Sequence, residues 1–331
     1  MVECASGCGW RSPIYNSCTN RHCPQCRGAA RAEWLTARSE QLLPVPHFQV
    51  TTTLPGVLRQ IARDNPRLVY GLLFTATAEM LQELAADPKR LGAQLGIVAV
   101  LHTWAMDLGE HPHVHSLVTG GGLLWDQSGW VSTKPGFLFP TRVMSKLLRG
   151  KMVAGLKAAF TRGDLHIRGA PSHADVAFKA VIRRAYVHQW RVNVQPPEGR
   201  SATRAAKYLA RYVGGAAIGD GRMLAVTATH VSFRGRTGII TVEGHEFVRR
   251  FASHILPRGL NRVRYYGLYA TSNVHFRWAR ARQLLNAPLP PPRLERPKRV
   301  CPACGAELKE RSIPGLRRCR PLRPPRARGP P

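Results

Sequence analysis

The chain of 331 residues carries 49 Lys and Arg against 19 Asp and Glu, which gives a formal net charge of +30. Residues 289–331 account for +9 of this charge, so residues 1–288 are also strongly basic. A folded region with this charge favours nucleic acid as a partner. The alternative is a ribosomal-type protein or a basic protein whose charges are merely solvated. There is no run of about eighteen apolar residues and no charged-then-apolar N-terminus, so we expect no membrane span and no secretion signal. The cysteines are clustered and not spread as a disulfide framework, which indicates a reducing compartment; we therefore expect a cytoplasmic protein and, with nucleic acid as its partner, a nucleoid-associated one.

Residues 1–34 are rich in cysteine and are predicted to form a loop-like zinc-binding domain. Its potential metal ligands are Cys4, Cys8, Cys18, His22, Cys23 and Cys26. The Cys23–Cys26 spacing is typical of a zinc knuckle, and Cys4 and Cys8 can supply the other two thiolates of a tetrahedral Zn²⁺ site. Cys18 and His22 are then spare or replace one of these. So short a segment cannot bury a core, so the metal would supply much of its folding energy; a set of free thiols is the alternative.

Residues 44–286 alternate strand and helix signals and are predicted to form one catalytic domain. Strands are predicted at 47–54, 96–104, 113–119 and 190–194, within 223–242, and near 262–270. Helices are predicted from Pro66 towards Asp87, at 141–160, from a cap at Ser201, at 245–256, and up to about Asn286. The short loop between the second and third strands favours an antiparallel hairpin. Helices mixed with mainly antiparallel strands indicate the α+β class.

Two histidines begin the third of these strands, in the segment His111–His115. Alternate residues of a strand share a face, so His113 and His115 can bind one divalent metal ion together. An antiparallel hairpin could bring His102 opposite the pair as a third ligand. The competing third ligands are His111, Asp107 and Glu110. A solvated strand edge without any metal is the alternative interpretation.

Two tyrosines lie on the helix that follows Ser201. Tyr208 and Tyr212 are four residues apart and therefore share one helix face, and the basic residues around them, suited to phosphate oxygens, are Arg204, Lys207 and Arg211. A phenol with a pKa of about 10 is a weak nucleophile at neutral pH, so it needs a nearby cation or a metal that polarises the phosphate. Both tyrosines are equal candidates for the nucleophile, and packing of both rings in the core is the alternative.

Residues 287–331 form a Pro/Arg-rich tail that is predicted to be largely unstructured. The tail contains a second knuckle-like pair, Cys301 and Cys304, with only Cys319 as a later companion. A zinc ribbon needs two such pairs to bind one metal ion, and the tail supplies only one, so the sequence analysis assigns no metal to Cys301 and Cys304.

Several of these motifs occur together in one order along nearly the whole chain. They are Tyr15–Cys26, Phe48–Pro55, His111–His115, Tyr208–Val213, Val263–Leu268 and Cys301–Cys304. In this combination the chain resembles the HUH-type, two-tyrosine, rolling-circle transposases of bacterial insertion sequences, which carry an N-terminal zinc-binding domain.

The resemblance implies a DNA strand transferase with a central antiparallel sheet flanked by helices. His113 and His115 would bind Mg²⁺ or Mn²⁺ with a third ligand, and Zn²⁺ would be structural. One tyrosine would attack the element's end to form a 5′-phosphotyrosine bond and free a 3′-hydroxyl, and the second would perform the other cleavage or the resolution. The partners would be single-stranded element ends and target DNA.

Two alternative functions are compatible with the same sequence features. A plasmid replication initiator or conjugative relaxase would use the same chemistry, whereas a non-catalytic or decayed zinc-dependent DNA-binding protein would not cut at all. Chelator sensitivity separates cutting from binding, while salt dependence does not, since any DNA-binding protein weakens with salt.

Overall fold

The computed structural model describes residues 2–12, 34–168, 171–197, 202–213, 217–288 and 300–310. The described strands are β1 (Val2–Cys4), β2 (Arg11–Ser12), β3 (His47–Thr53), β4 (Ala93–Trp104), β5 (Glu110–Leu124), β6 (Trp130–Ser132), β7 (Arg191–Gln195), β8 (Met223–Val226), β9 (His230–Arg234), β10 (Ile239–Glu243), β11 (Val263–Gly267) and β12 (Leu308–Glu310). The described α-helices are α1 (34–41), α2 (Arg59–Asp64), α3 (Pro66–Ala86), α4 (Thr141–Thr161), α5 (Pro171–Val187), α6 (Ala202–Val213), α7 (Gly244–Ala252) and α8 (Ala279–Leu284). A π-helical turn, Val274–Trp278, precedes α8.

The central sheet has the strand order β11-β4-β5-β3-β7, with β6 added beside β5. Every neighbouring pair in it is antiparallel. The α+β class with a mainly antiparallel sheet flanked by helices is therefore confirmed. The hairpin of β4 and β5 is longer than predicted, because apolar residues extend both strands well beyond the histidines.

The two faces of the sheet are covered by different helices. Phe48 and Val50 of β3 and Leu101 of β4 face the larger core, which α3 and α4 complete with residues such as Leu73 and Leu148. On the opposite face, Val98 and Val100 of β4 and Leu117 of β5 pack with residues of α6 and α8 in a second core. Strand alternation thus places all three candidate histidines on the α6 side of the sheet.

The sequence-based expectations left out one long helix. Helix α5 was not predicted, although Phe178, Ile182 and Ala185 give it an apolar stripe that packs into the larger core. Ser201, the expected cap of α6, lies outside the described residues, and α6 is described from Ala202.

The chain ends also differ from expectation. The tail from residue 287 was predicted to be largely unstructured, yet Leu308–Glu310 forms β12, which pairs antiparallel with β1. Together β12, β1 and β2 form a small three-stranded sheet built from both ends of the described chain. Residues 289–299 and 311–331 lie outside the described ranges.

Within the described part of the chain, each helix is too short or too polar to cross a lipid bilayer.

Candidate metal and nucleophile site

The hairpin of β4 and β5 brings three histidines together. His102 pairs directly with His113 in the register of the two strands, and His115 follows two residues later on the same face. The ring centroids lie 5.5 Å apart for His102 and His113, 5.2 Å for His102 and His115, and 4.7 Å for His113 and His115. One ring nitrogen from each residue lies within 4.8 Å of the others, so the three could hold one metal ion. The structure therefore selects His102 as the third member of the cluster.

The imidazole rings of His113 and His115 are each oriented by a hydrogen bond at Nδ1. Nδ1 of His113 lies 2.5 Å from the carbonyl oxygen of His111, so Nδ1–H donates and the lone pair is on Nε2. Nδ1 of His115 lies 3.2 Å from Oγ1 of Thr51, the residue opposite it on β3. Partners of this kind fix the tautomer and orientation of metal-binding histidines. The sequence analysis did not identify Thr51, although its place in the β3 run Val50–Thr53 would have suggested a residue opposite the histidines once the register was known.

Burial keeps these imidazoles neutral. Burial lowers the pKa of His113 to about 4 and that of His115 to about 3. Neutral imidazole is the form that binds a metal, so at neutral pH no proton has to leave the rings before a cation binds.

The competing third ligands have other partners. The two carboxylate oxygens of Glu110 each accept a hydrogen bond of 2.9 Å from Arg63. The carboxylate of Asp107 accepts from the backbone N–H of Gly109 at 2.8 Å, which closes the hairpin loop. The ring of His111 is 5.0 Å from that of His113 but is not part of the three-histidine cluster.

Helix α6 packs on β4 and β5, above the histidines. Ala206 and Leu209 point into the second core and are fully buried, which fixes the helix on the sheet. The ring of Tyr208 consequently lies 6.5 Å from that of His115, centroid to centroid. Tyr212 follows one turn later on α6, and its side chain lies outside the described set, as does that of Arg211. Arg204 and Lys207 are exposed on the same helix.

A basic groove lies two strands away from the histidines. Across the sheet from β5 through β3 to β7, His113, Thr53 and Arg191 lie side by side on neighbouring strands. His115, Thr51 and Asn193 form the adjacent row in the same way. The groove has a volume of about 690 Å³ and is lined by Thr141, Arg142, Ser145, Lys146, Arg149, Val187, His188, Gln189, Trp190, Arg191, Val192 and Asn193. Of these described residues none is acidic. The sequence analysis missed this groove because its cations come from α4 and β7, which are far apart in the chain.

Four cysteines form a second potential metal cluster at the chain ends. Cys4, Cys8, Cys301 and Cys304 are free thiols whose sulfur atoms all lie within 4.8 Å of one another. The sequence analysis paired Cys4 and Cys8 with Cys23 and Cys26, which lie outside the described residues, and assigned no metal to Cys301 and Cys304. The Cys-Pro-Ala-Cys-Gly run was the available signal, but nothing in the sequence placed it beside the N-terminus.

Comparison with known proteins gives the family. The family model described as "Putative transposase" matches residues 96–275, which hold the histidine hairpin and the tyrosine helix. The chain belongs to this transposase family. A second family model, "Transposase zinc-binding domain", matches residues 1–54, so the zinc-binding assignment of the N-terminal region is supported.

Two curated relatives agree with this family. "Putative transposase y4qJ" of Sinorhizobium fredii (strain NBRC 101917 / NGR234) is 39% identical over 330 residues, which cover 92% of this chain and 82% of the relative. "Transposase for insertion sequence element IS801" of Pseudomonas savastanoi pv. phaseolicola is 26% identical over 267 residues, which cover 78% of this chain and 62% of the relative. No solved structure matches the chain. A transposase is an enzyme that cuts nucleic acid, which agrees with the basic charge of the chain.

Proposed function

We propose that this transposase cuts and rejoins one strand of DNA through a covalent tyrosine–DNA intermediate, as in rolling-circle transposition. The observation that carries the proposal is the position of Tyr208, whose ring lies against His115 of the three-histidine cluster. A nucleophile and a potential metal site on the same face of one sheet are the two parts that such a reaction requires.

The histidines His102, His113 and His115 would hold Mg²⁺ or Mn²⁺, which when bound polarises the scissile phosphate and offsets its developing negative charge. The phenolate oxygen of Tyr208 or Tyr212 attacks the phosphorus atom. The bond from phosphorus to the 3′ oxygen breaks, that oxygen takes up a proton from water to become a 3′-hydroxyl, and the phosphate stays on the 5′ end as a phosphotyrosine ester. Attack by a 3′-hydroxyl on the same phosphorus reverses these bond changes and rejoins a strand.

Positive charge around the nucleophile would assist both binding and attack. Arg204 is four residues before Tyr208 and so lies one turn away on the same side of α6, while Lys207 and Arg211 add charge to that helix. A cation near a phenol lowers its pKa and favours the nucleophilic phenolate.

The basic groove provides a path for the DNA strand away from the histidines. Neighbouring strands of a sheet are about 4.8 Å apart, so Arg191 and Asn193 lie about 10 Å from the histidines on the same face. Arg142 and Lys146 lie on α4, which packs on the opposite face of the sheet, and they continue the positive surface around the edge strand β7. We propose that phosphates of single-stranded element ends or target DNA bind there, in the cytoplasm and on the nucleoid.

The proposal is tested with Mn²⁺ and a single-stranded oligonucleotide that carries one of the element's ends and is labelled at its 3′ end, because the 3′ fragment is the one that stays attached to the tyrosine. The parent protein is expected to form a covalent protein–DNA adduct that survives denaturation and disappears on chelation. Tyr208→Phe and Tyr212→Phe should each reduce the adduct and the double variant should abolish it. Tyr266→Phe is the matched control, because Tyr266 lies on β11, at the edge of the sheet away from β7, and packs against the larger core on the face opposite α6.

An adduct that persists in the double tyrosine variant would refute the tyrosine mechanism. Binding of the oligonucleotide without any cleavage, unchanged by chelator, would instead indicate a DNA-binding protein that does not cut.

A further inference from the structure

We propose that one zinc ion is bound by Cys4, Cys8, Cys301 and Cys304, so that a single metal site joins the two ends of the described chain. Neither family match includes the late pair, since they span residues 1–54 and 96–275. The proposal therefore gives the N-terminal zinc-binding region two ligands from a distant part of the sequence.

The sulfur positions fit a tetrahedral zinc site. Four thiolates about 2.3 Å from one zinc ion lie about 3.8 Å from each other. Sγ of Cys8 is 3.7 Å from Sγ of Cys301, and Sγ of Cys4 is 3.3 Å from Sγ of Cys304. These separations are far longer than the roughly 2.05 Å of a disulfide bond and suit a shared cation. Four sulfur ligands are typical of a closed structural zinc site.

The two cysteine pairs have similar backbone turns. In the late turn, the N–H of Gly305 donates to the carbonyl oxygen of Cys301 at 2.8 Å, and Cys301 N–H donates to Ala306 at 2.7 Å. In the early turn, Cys4 N–H donates to the carbonyl oxygen of Trp10 at 3.1 Å. Gly305 and Gly9 each follow the second cysteine of a pair and have φ values of 74° and 83°, a conformation that glycine adopts without strain.

The surrounding sheet is too small to hold the ends together by itself. Only three residue pairs join β1 to β12, and the described ranges 2–12 and 300–310 bury little apolar surface beyond Val2 and the two cysteines Cys4 and Cys301. Segments of this size need a metal or another covalent constraint to fold. A zinc ion bound to both pairs would supply that stability.

The first test measures the zinc content of the purified full-length chain by elemental analysis. We expect Cys4→Ala/Cys8→Ala and Cys301→Ala/Cys304→Ala to lose one zinc ion per chain each, and the quadruple variant to lose the same single ion. The control Cys319→Ala should keep the parent's zinc content. Full retention of zinc in the Cys301→Ala/Cys304→Ala variant, or loss of two ions in the quadruple variant, would overturn the shared site.

A second test does not depend on how well the cysteine variants fold. A specific protease site inserted between residues 289 and 299 allows the otherwise unchanged protein to be cut before the late pair. The C-terminal fragment should then co-elute with the rest of the chain and be released by a zinc chelator. A fragment that separates while zinc remains bound would refute the proposal, and neither readout depends on DNA cleavage.

Discussion

The hydrogen bond between Thr51 and His115 offers a direct test of the histidine cluster as a metal site. With a cation on Nε2, Nδ1 of His115 carries the proton and donates to Oγ1 of Thr51, 3.2 Å away. Thr51→Val removes this acceptor while keeping a β-branched side chain of nearly the same shape on β3. Loss of such a partner typically lowers metal affinity 10- to 100-fold, which corresponds to about 1.4–2.7 kcal/mol. We expect that loss in a Mn²⁺ titration by isothermal calorimetry, with the unfolding midpoint nearly unchanged.

The neighbouring residue provides the matched control. Thr52 points to the opposite face of the same strand, is fully buried, and shares a 2.8 Å hydrogen bond with Oγ1 of Thr77. Thr52→Val should therefore cost about 1–3 kcal/mol of unfolding free energy, because it leaves a buried hydroxyl without its partner, and should leave Mn²⁺ affinity intact. Equal Mn²⁺ affinity in Thr51→Val and the parent, or an equal loss in both variants, would refute the reasoning.

Three further predictions concern stability and DNA binding. Burial lowers the pKa of His47 to about 4, so stability should fall as the unfolded chain takes up a proton between pH 6.5 and 4, by about 1.4 kcal/mol per pH unit. His47→Gln should remove about 3 kcal/mol of that fall in urea unfolding, and an unchanged pH slope would contradict the assignment. Leu209→Ala should cost about 2–5 kcal/mol and reduce adduct formation, while Mn²⁺ affinity measured by calorimetry stays at the parent value. Arg142→Gln/Lys146→Gln should weaken single-stranded DNA binding and reduce the slope of log affinity against log salt concentration by about 0.7 per lost phosphate contact. Lys151→Gln is the control, since Lys151 on the same helix is paired with Glu83 at 2.7 Å. An equal effect of Lys151→Gln would argue against the groove as the DNA-binding surface.

Local patterns predicted much of the fold. The run of strand-forming residues before Pro55 gave β3, the proline at the start of α3 gave its first residue, and the short loop at Asp107 gave the antiparallel hairpin. From the hairpin, the alternation of side chains was sufficient to propose His102 as a neighbour of His113. These features depend on residues close in sequence, which is why the sequence could predict them.

Features that depend on distant pairings could not be predicted in this way. The strand order that places Thr51 and Arg191 beside the histidines follows from pairing among β5, β3 and β7, and no local pattern fixes that order. The same holds for Cys301 and Cys304, whose nearness to Cys4 arises from pairing between the two ends of the chain. The side chain of Tyr212 lies outside the described set, so its role stays a prediction.

The histidine cluster and the tyrosine helix are built from separate parts of the chain. All three histidines belong to one hairpin, residues 93–124, whereas Tyr208 reaches them on α6, which is held to the sheet by apolar contacts from residues such as Ala206 and Leu209. Under the proposed mechanism, cation binding and strand cleavage are therefore separable properties: a variant whose α6 has shifted should still bind manganese and yet be inactive in cleavage. Counting bound metal ions alone would therefore overestimate the number of molecules in a preparation that can cleave DNA. Titration of the covalent protein–DNA product would count them.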